Sequence, residues 1–353
     1  MEKKFVISKI HKRYLKMIKK LMIDNFRSID HLEFEPKRIN VIIGEEGTGK
    51  STLLEALGMV SFLGVYNLIE ISGTKFYLDQ LQNFSLQHFV KYSNLHAGDL
   101  LHKFDETEGK KNYAEVILYA SKFNSNMELK INIRLKNYLD GCNVESLYEN
   151  YDNYVEQRRI RYYNFNGIPL INCNFAEYLL PSFGMNFWSL VENDKDIIEK
   201  IKGGLDAYGI GFGFDTSKDC IPSIKPACSD NWIPISNLSD AIQLEFMYRL
   251  THWKDADDAS LIYPGFGQGM FVGQTKSLCE NMALMEKTQF FITTYDENVV
   301  MWLLEKTPKE QIGLYATYMQ EGKTKLYEFT EGQISYLMSC NIMFNFQKYL
   351  PNY

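Results

Sequence analysis

The chain has 353 residues, 45% hydrophobic and 23% charged, a balance that excludes a disordered chain, and its length points to one large domain with an insertion or to two domains. Its net charge of -6 makes no global case for nucleic acid binding. It has no apolar run of about 18 residues, so no membrane-spanning helix is expected.

The first twenty residues, MEKKFVISKIHKRYLKMIKK, carry eight Lys or Arg against one Glu. Residues 1–16 read as a basic extension, either a solvated arm or a basic amphipathic helix. No apolar core or small-residue cleavage site follows the positive residues, as a signal peptide would require. Cys142, Cys173, Cys220, Cys228, Cys279 and Cys340 form no CxxC pair. That supports neither a metal cluster nor a disulfide framework and fits a reducing cytoplasm.

KLMIDNF and RINVIIG read as strands, and KSTLLEALGMVSFLG as a helix with Leu53, Leu54, Leu57 and Val60 at helical spacing. Between them lies GEEGTGKST, which satisfies G-x-x-x-x-G-K-[ST] in the strand, glycine loop, helix setting that a phosphate-binding loop requires. The expected nucleotide-binding set is Gly44, Glu45, Glu46, Gly47, Thr48, Gly49, Lys50, Ser51 and Thr52. Backbone N–H groups would cradle phosphates, Lys50 would reach the β and γ phosphates, and the Ser51 hydroxyl would ligate Mg²⁺, with ATP and Mg²⁺ as cofactors. The competing reading is a chance glycine turn.

Residues 62–235 alternate aromatic and Asn-rich stretches without a dominant period. AEVILYA, LKINIRL and RIRYYNF read as strands, and NDKDIIEKIKGGL as a short helix closed by its glycines. An inserted α+β lobe is expected here, with neither sustained heptads nor internal repeats. ESLYENYDNYVEQRRIRYYNF mixes aromatics with Arg158, Arg159 and Arg161. It reads either as a base-stacking nucleic acid contact or as an edge hairpin face.

From 236 onward strands and helices alternate: a helix N-capped at Ser239, the strand ASLIYP, a helix near 272–286, the strand TQFFITT, a helix near 297–305, then IGLYATYM and TKLYEFT. That alternation implies a mostly parallel sheet covered by helices. The expected fold class is therefore α/β, a P-loop head in two parts, 17–61 and 236–353, around the inserted lobe.

The segment MIKKLMIDNFRSIDHLEFEPKRINVIIGEEGTGKSTLLEAL is similar to the opening of the RecF, OLD and SMC-like ATPases, ABC-type P-loop heads of the AAA superfamily found in DNA repair and phage defence. SNLSDAIQLEF is similar to their signature segment: Ser239 and Asp240 match its turn, Gln243 matches its glutamine, and Ala241 departs from the usual Gly or Thr. The resemblance implies that this helix N-terminus addresses the γ phosphate held by an opposite subunit. The partner would be a second copy or a competent ATPase in a mixed dimer.

From Gln243 to Tyr263 is 20 residues and from Tyr263 to Tyr295 is 32, spacings that resemble signature to Walker B to switch histidine. Tyr263 and Pro264 then fall on the two Walker B acids, and Tyr295 on the histidine. Glu46 also stands where relatives carry Asn, adding charge beside a triphosphate. None of Tyr263, Pro264 or Tyr295 can hold Mg²⁺ or polarise water as a carboxylate does, so hydrolysis should fall by orders of magnitude. Asp255, Asp257 and Asp258 precede the strand and would lie roughly 16 Å from its far end. Asp296 and Glu297 are the remaining candidate substitutes. The expected function is a nucleotide-gated regulatory subunit, with an active ATPase using unconventional acids and a structural protein with a relic loop as alternatives.

Overall fold

A computed structural model of the chain describes residues 15–71, 113–122, 128–138, 141–147, 159–165, 177–181, 184, 186–206, 209–215, 221–227, 230–340 and 345–351. In chain order, β1 (Leu15–Phe26) and β2 (Ile29–Phe34) precede β3 (Ile39–Gly44) and α1 (Lys50–Ile71). β4 (Tyr113–Lys122), β5 (Glu128–Tyr138), β6 (Gly141–Leu147) and β7 (Ile160–Tyr162) follow, then α2 (Phe187–Asn193), α3 (Lys195–Asp206), β8 (Ile210–Asp215), β9 (Ile221–Pro226) and β10 (Ile233–Pro234). The C-terminal part holds α4 (Asp240–Trp253), β11 (Ser260–Tyr263), α5 (Val272–Leu284), β12 (Gln289–Thr293) and α6 (Glu297–Lys306). It closes with β13 (Ile312–Gln320), β14 (Lys323–Glu328), α7 (Glu331–Cys340) and a 3₁₀ turn, Asn345–Tyr349.

The six-stranded central sheet has the order β14-β13-β3-β12-β11-β7. Its strands run parallel except for β14, which pairs antiparallel with β13 at the edge. β11 and β12 are buried at every residue and β3 at all but Gly44, as apolar runs covered on both faces must be. Alternation then sorts the side chains. Ile42, Ile262 and Phe291 enter one core with Leu53, Leu54, Leu57 and Val60 of α1. Val41, Ile43, Leu261, Tyr263, Phe290 and Ile292 enter the other, against residues of α3 to α7.

A five-stranded sheet, order β2-β1-β4-β5-β6, covers the far side of α1, and a three-stranded sheet of β8 to β10 completes the strands. Buried Gln289 joins the two larger sheets. Its amide donates to the carbonyls of Ile18 and Lys37, both at 2.9 Å, and accepts from Ile18 N at 2.8 Å and Ser260 Oγ at 2.9 Å. Every polar atom of that amide is thereby satisfied.

The stretch 62–235 thus contributes β4 to β6 to the outer sheet, β7 to the central one and β8 to β10 to the third. Two expectations need correction. The helix at 193–205 is not closed by its glycines: α3 runs through Gly203 and Gly204 to Asp206, because Ile197, Ile201 and Leu205 form one buried stripe, which outweighs the roughly 1 kcal/mol that each glycine costs a helix. β1 starts at Leu15, paired with Lys122, so the last two residues of the expected extension belong to the sheet. The rest of that extension, and residues 148–158 of the tyrosine-rich segment, lie outside the described residues.

Candidate functional site

β3 delivers the chain into the glycine loop, and α1 starts at Lys50. Three glycines make the loop feasible. Gly44, Gly47 and Gly49 have φ of 149, 74 and 96°, values that strain any L side chain. At two of them there is also no room: a Cβ on Gly44 would lie 2.6 Å from Thr317 Oγ1, and one on Gly49 would overlap Thr324. Thr48 Oγ1 donates to Glu45 O at 2.7 Å and meets Thr317 Oγ1 at 2.8 Å. Thr324 is itself held through Ser28. The loop is therefore braced by β13 and β14, whose residues lie far from it in sequence, and by the β1–β2 turn.

Lys50 is buried. Its ammonium donates to the carbonyls of Gly44 at 2.8 Å and Glu45 at 2.5 Å, and lies 4.5 Å from the centroid of the Tyr295 ring. Burial holds its pKa below the ordinary lysine value, opposed by the charges of Glu46 and Glu45. Glu45, Glu46, Gly47 and Ser51 are exposed, whereas Thr48 and Thr52 are buried. Gln347, from the closing 3₁₀ turn, donates to Glu45 Oε1 at 2.7 Å. A backbone cradle of positive-φ glycines, opening a long helix and ending in a lysine, fits an oligophosphate. The exposed Ser51 hydroxyl is the group that would hold Mg²⁺.

The two positions expected to match Walker B part company. Tyr263 is fully buried on the sheet face away from α1, among Tyr163, Tyr248, Phe266 and Phe290. The Thr251 hydroxyl donates to Tyr248 O at 2.6 Å, so Tyr263 Oη donates to Thr251 Oγ1, at 2.5 Å. The strand's alternation leaves Pro264 for the loop side. Beyond it PGFGQG coils over the end of β12, with Gly265 N donating to Thr293 Oγ1 and Phe266 N to Thr293 O, both at 2.8 Å. This coil and residues 294–298 line a shallow cleft of about 430 Å³.

Tyr295 stands at the edge of that cleft, 46% exposed. Asp296 caps α6: its Oδ1 accepts from Asn298 N and Nδ2, both at 2.9 Å. That oxygen therefore serves the helix start, and Asp296 and Glu297 both line the cleft. Asp255 is tied to Arg159 and Arg161, and Asp257 to Lys287, at the opposite end of β11 from the phosphate loop. Arg159 and Arg161 are thus engaged by Asp255, while Arg158 lies outside the described residues. Arg161 is buried, bonded to Asp255 at 2.9 Å and stacked 3.8 Å from the Tyr178 ring, and Tyr162 and Tyr163 are core residues.

Ser239 occupies the N-cap position of α4, but its side chain makes no capping hydrogen bond. It and Asp240 are exposed. Gln243 is buried and donates to Ser236 O at 2.9 Å and Leu238 O at 2.7 Å, so the glutamine fixes the turn that presents Ser239.

A family model described as an AAA domain matches residues 20–203, more than half of the chain. The chain belongs to the AAA domain family. Among solved structures, this AAA domain protein is similar to an SMC head bound to the C-winged helix domain of ScpA, at 15% identity and a TM-score of 0.53, over 90% of this chain and 99% of that one. An SMC head with a coiled coil and joint from Pyrococcus yayanosii matches at 9% identity and a TM-score of 0.50, over 93% and 99% of the two chains. The fold is thus that of an SMC-type ABC ATPase head, an α/β fold with a mostly parallel central sheet. No curated protein matches the sequence significantly. Among the described residues no helix is long and apolar enough to cross a membrane.

Sequence reasoning missed Thr293, Thr317, Thr324 and Gln347 as parts of the site. Thr317 and Thr324 reach the loop through the sheet order, Gln347 through the closing 3₁₀ turn, and Thr293 anchors the coil beside it.

Proposed function

We propose that this AAA domain protein is an ATP-binding head that works as a dimer and hydrolyses ATP weakly or not at all, as a nucleotide-gated regulatory subunit in DNA maintenance or defence. One observation carries the reading: a sterically complete glycine cradle with its lysine, beside which the positions that resemble the strand end and switch of competent heads hold Pro264 and Tyr295 rather than acids and a histidine. Binding needs the cradle, whereas turnover needs a placed carboxylate.

The exposed, uncapped Ser239 at the start of a 14-residue helix supports a role in trans, completing the site of a second copy or of a competent ATPase. A similar solved head bound to another protein's winged-helix domain supports a protein partner as well. Phosphate release from Mg²⁺-ATP by the purified chain tests the reading. The rate is expected to stay at background, equal for wild type and Lys50→Ala, and turnover at the rate of competent ABC heads would contradict it. An active ATPase using Asp296 or Glu297 is the second reading, since both residues line the cleft beside Tyr295. It predicts turnover that replacing both acids with amides, Asp296→Asn and Glu297→Gln, abolishes.

A further inference from the structure

β12 runs parallel to β3 with Thr293 opposite Ile42, so two residues further on Tyr295 stands level with Gly44, where the phosphate loop opens. Its ring centroid is 4.5 Å from Lys50 Nζ, whose other hydrogen bonds go to the carbonyls of Gly44 and Glu45. A phosphate oxygen bound by an ammonium sits at about 2.8 Å. A phenol ring that covers the remaining side of the ammonium fills the space such a terminal phosphate needs. The ring attracts the cation through its π face and offers no N–H or O–H along that direction.

We propose that Tyr295 is a specificity residue that takes the place of the γ phosphate beside Lys50, so that the site favours a nucleoside diphosphate and admits a triphosphate only when the ring swings out. This rests on the nucleotide-binding reading and names its gate. Two further features support it. The ring is 46% exposed, so it can turn into water without disturbing the core. Glu45 and Glu46 are exposed beside the loop, and their charge disfavours the more highly charged ligand. Burial and the charge of Glu46 both raise the Tyr295 pKa, so the phenol stays neutral and keeps its attraction for the lysine.

The test is calorimetric titration of the full chain with Mg²⁺-ADP and with a non-hydrolysable Mg²⁺-ATP analogue, for wild type, Tyr295→Ala, Tyr295→Phe and Lys50→Ala. Wild type is expected to bind the diphosphate more tightly. Tyr295→Ala should strengthen triphosphate binding about threefold to thirtyfold, the range of a released cation–π contact, and change diphosphate binding less than about twofold. Tyr295→Phe, which keeps the ring, should retain the wild-type preference. Equal affinities in wild type, equal shifts for both ligands in Tyr295→Ala, or weaker triphosphate binding there would overturn the proposal while leaving the nucleotide reading intact. Failure of both ligands to bind, or binding that survives Lys50→Ala, would overturn the nucleotide reading and the gate with it.

Discussion

At the scale of single residues, the chemistry of the strand end turns on the direction in which one side chain points. Tyr263, which the resemblance places on a Walker B acid, faces the core opposite α1, so a carboxylate introduced there would be buried away from the phosphates. Tyr263→Asp is therefore expected to cost about 3–5 kcal/mol of stability, through a lost aromatic and an unpaired buried charge, without creating turnover. Urea unfolding and phosphate release measure the two effects. A stable variant that hydrolyses ATP would show that the strand is misassigned. Tyr263→Phe should cost only about 1 kcal/mol, because the Thr251 hydroxyl already donates to Tyr248 O. Asp296 similarly serves as the cap of α6, and its replacement by Ala should lower stability by about 1 kcal/mol.

At the scale of elements, the turn before α4 is held by one amide. Gln243→Leu removes both donors to Ser236 O and Leu238 O and should cost about 1–3 kcal/mol. It should also speed amide hydrogen exchange in the 235–239 turn while leaving α1 protected. Unchanged exchange there would show that the turn holds itself. Elements of this kind differ in how far the sequence discloses them. β3, β11 and β12 were legible because buried parallel strands are dominated by apolar residues, and α1 because its leucines keep helical spacing. β2 was passed over, since IDHLEF has only Leu32 and Phe34 in alternation before a charged, proline-containing connection. β8 to β10 are short and rich in glycine and proline, which weakens any strand signal. The phosphate loop itself was legible from local spacing. Its bracing by Thr317, Thr324 and Gln347 was not, because those contacts join residues more than 260 positions apart.

At the scale of the whole molecule, α1 lies between two sheets and carries Glu55 into their core, where burial pushes its pKa up to about 7 despite Arg27 beside it. The folded chain then holds this proton up to about pH 7, whereas the unfolded chain releases it near the ordinary value of 4.5. Its contribution is complete below pH 4.5 and is lost as the pH rises to 7, up to about 3 kcal/mol. Glu55→Gln should remove that slope from urea titrations across pH 4.5–7, and an identical slope in the variant would place the effect elsewhere. Gln289 ties β1 to the central sheet in the same region. The central claim, a head that retains nucleotide binding without the acids of turnover, is tested most directly by titrating Mg²⁺-ATP into the wild type and Lys50→Ala by calorimetry. Saturable binding in the wild type that disappears in Lys50→Ala is the predicted result. Absence of binding in both, or equal binding in both, would contradict the account.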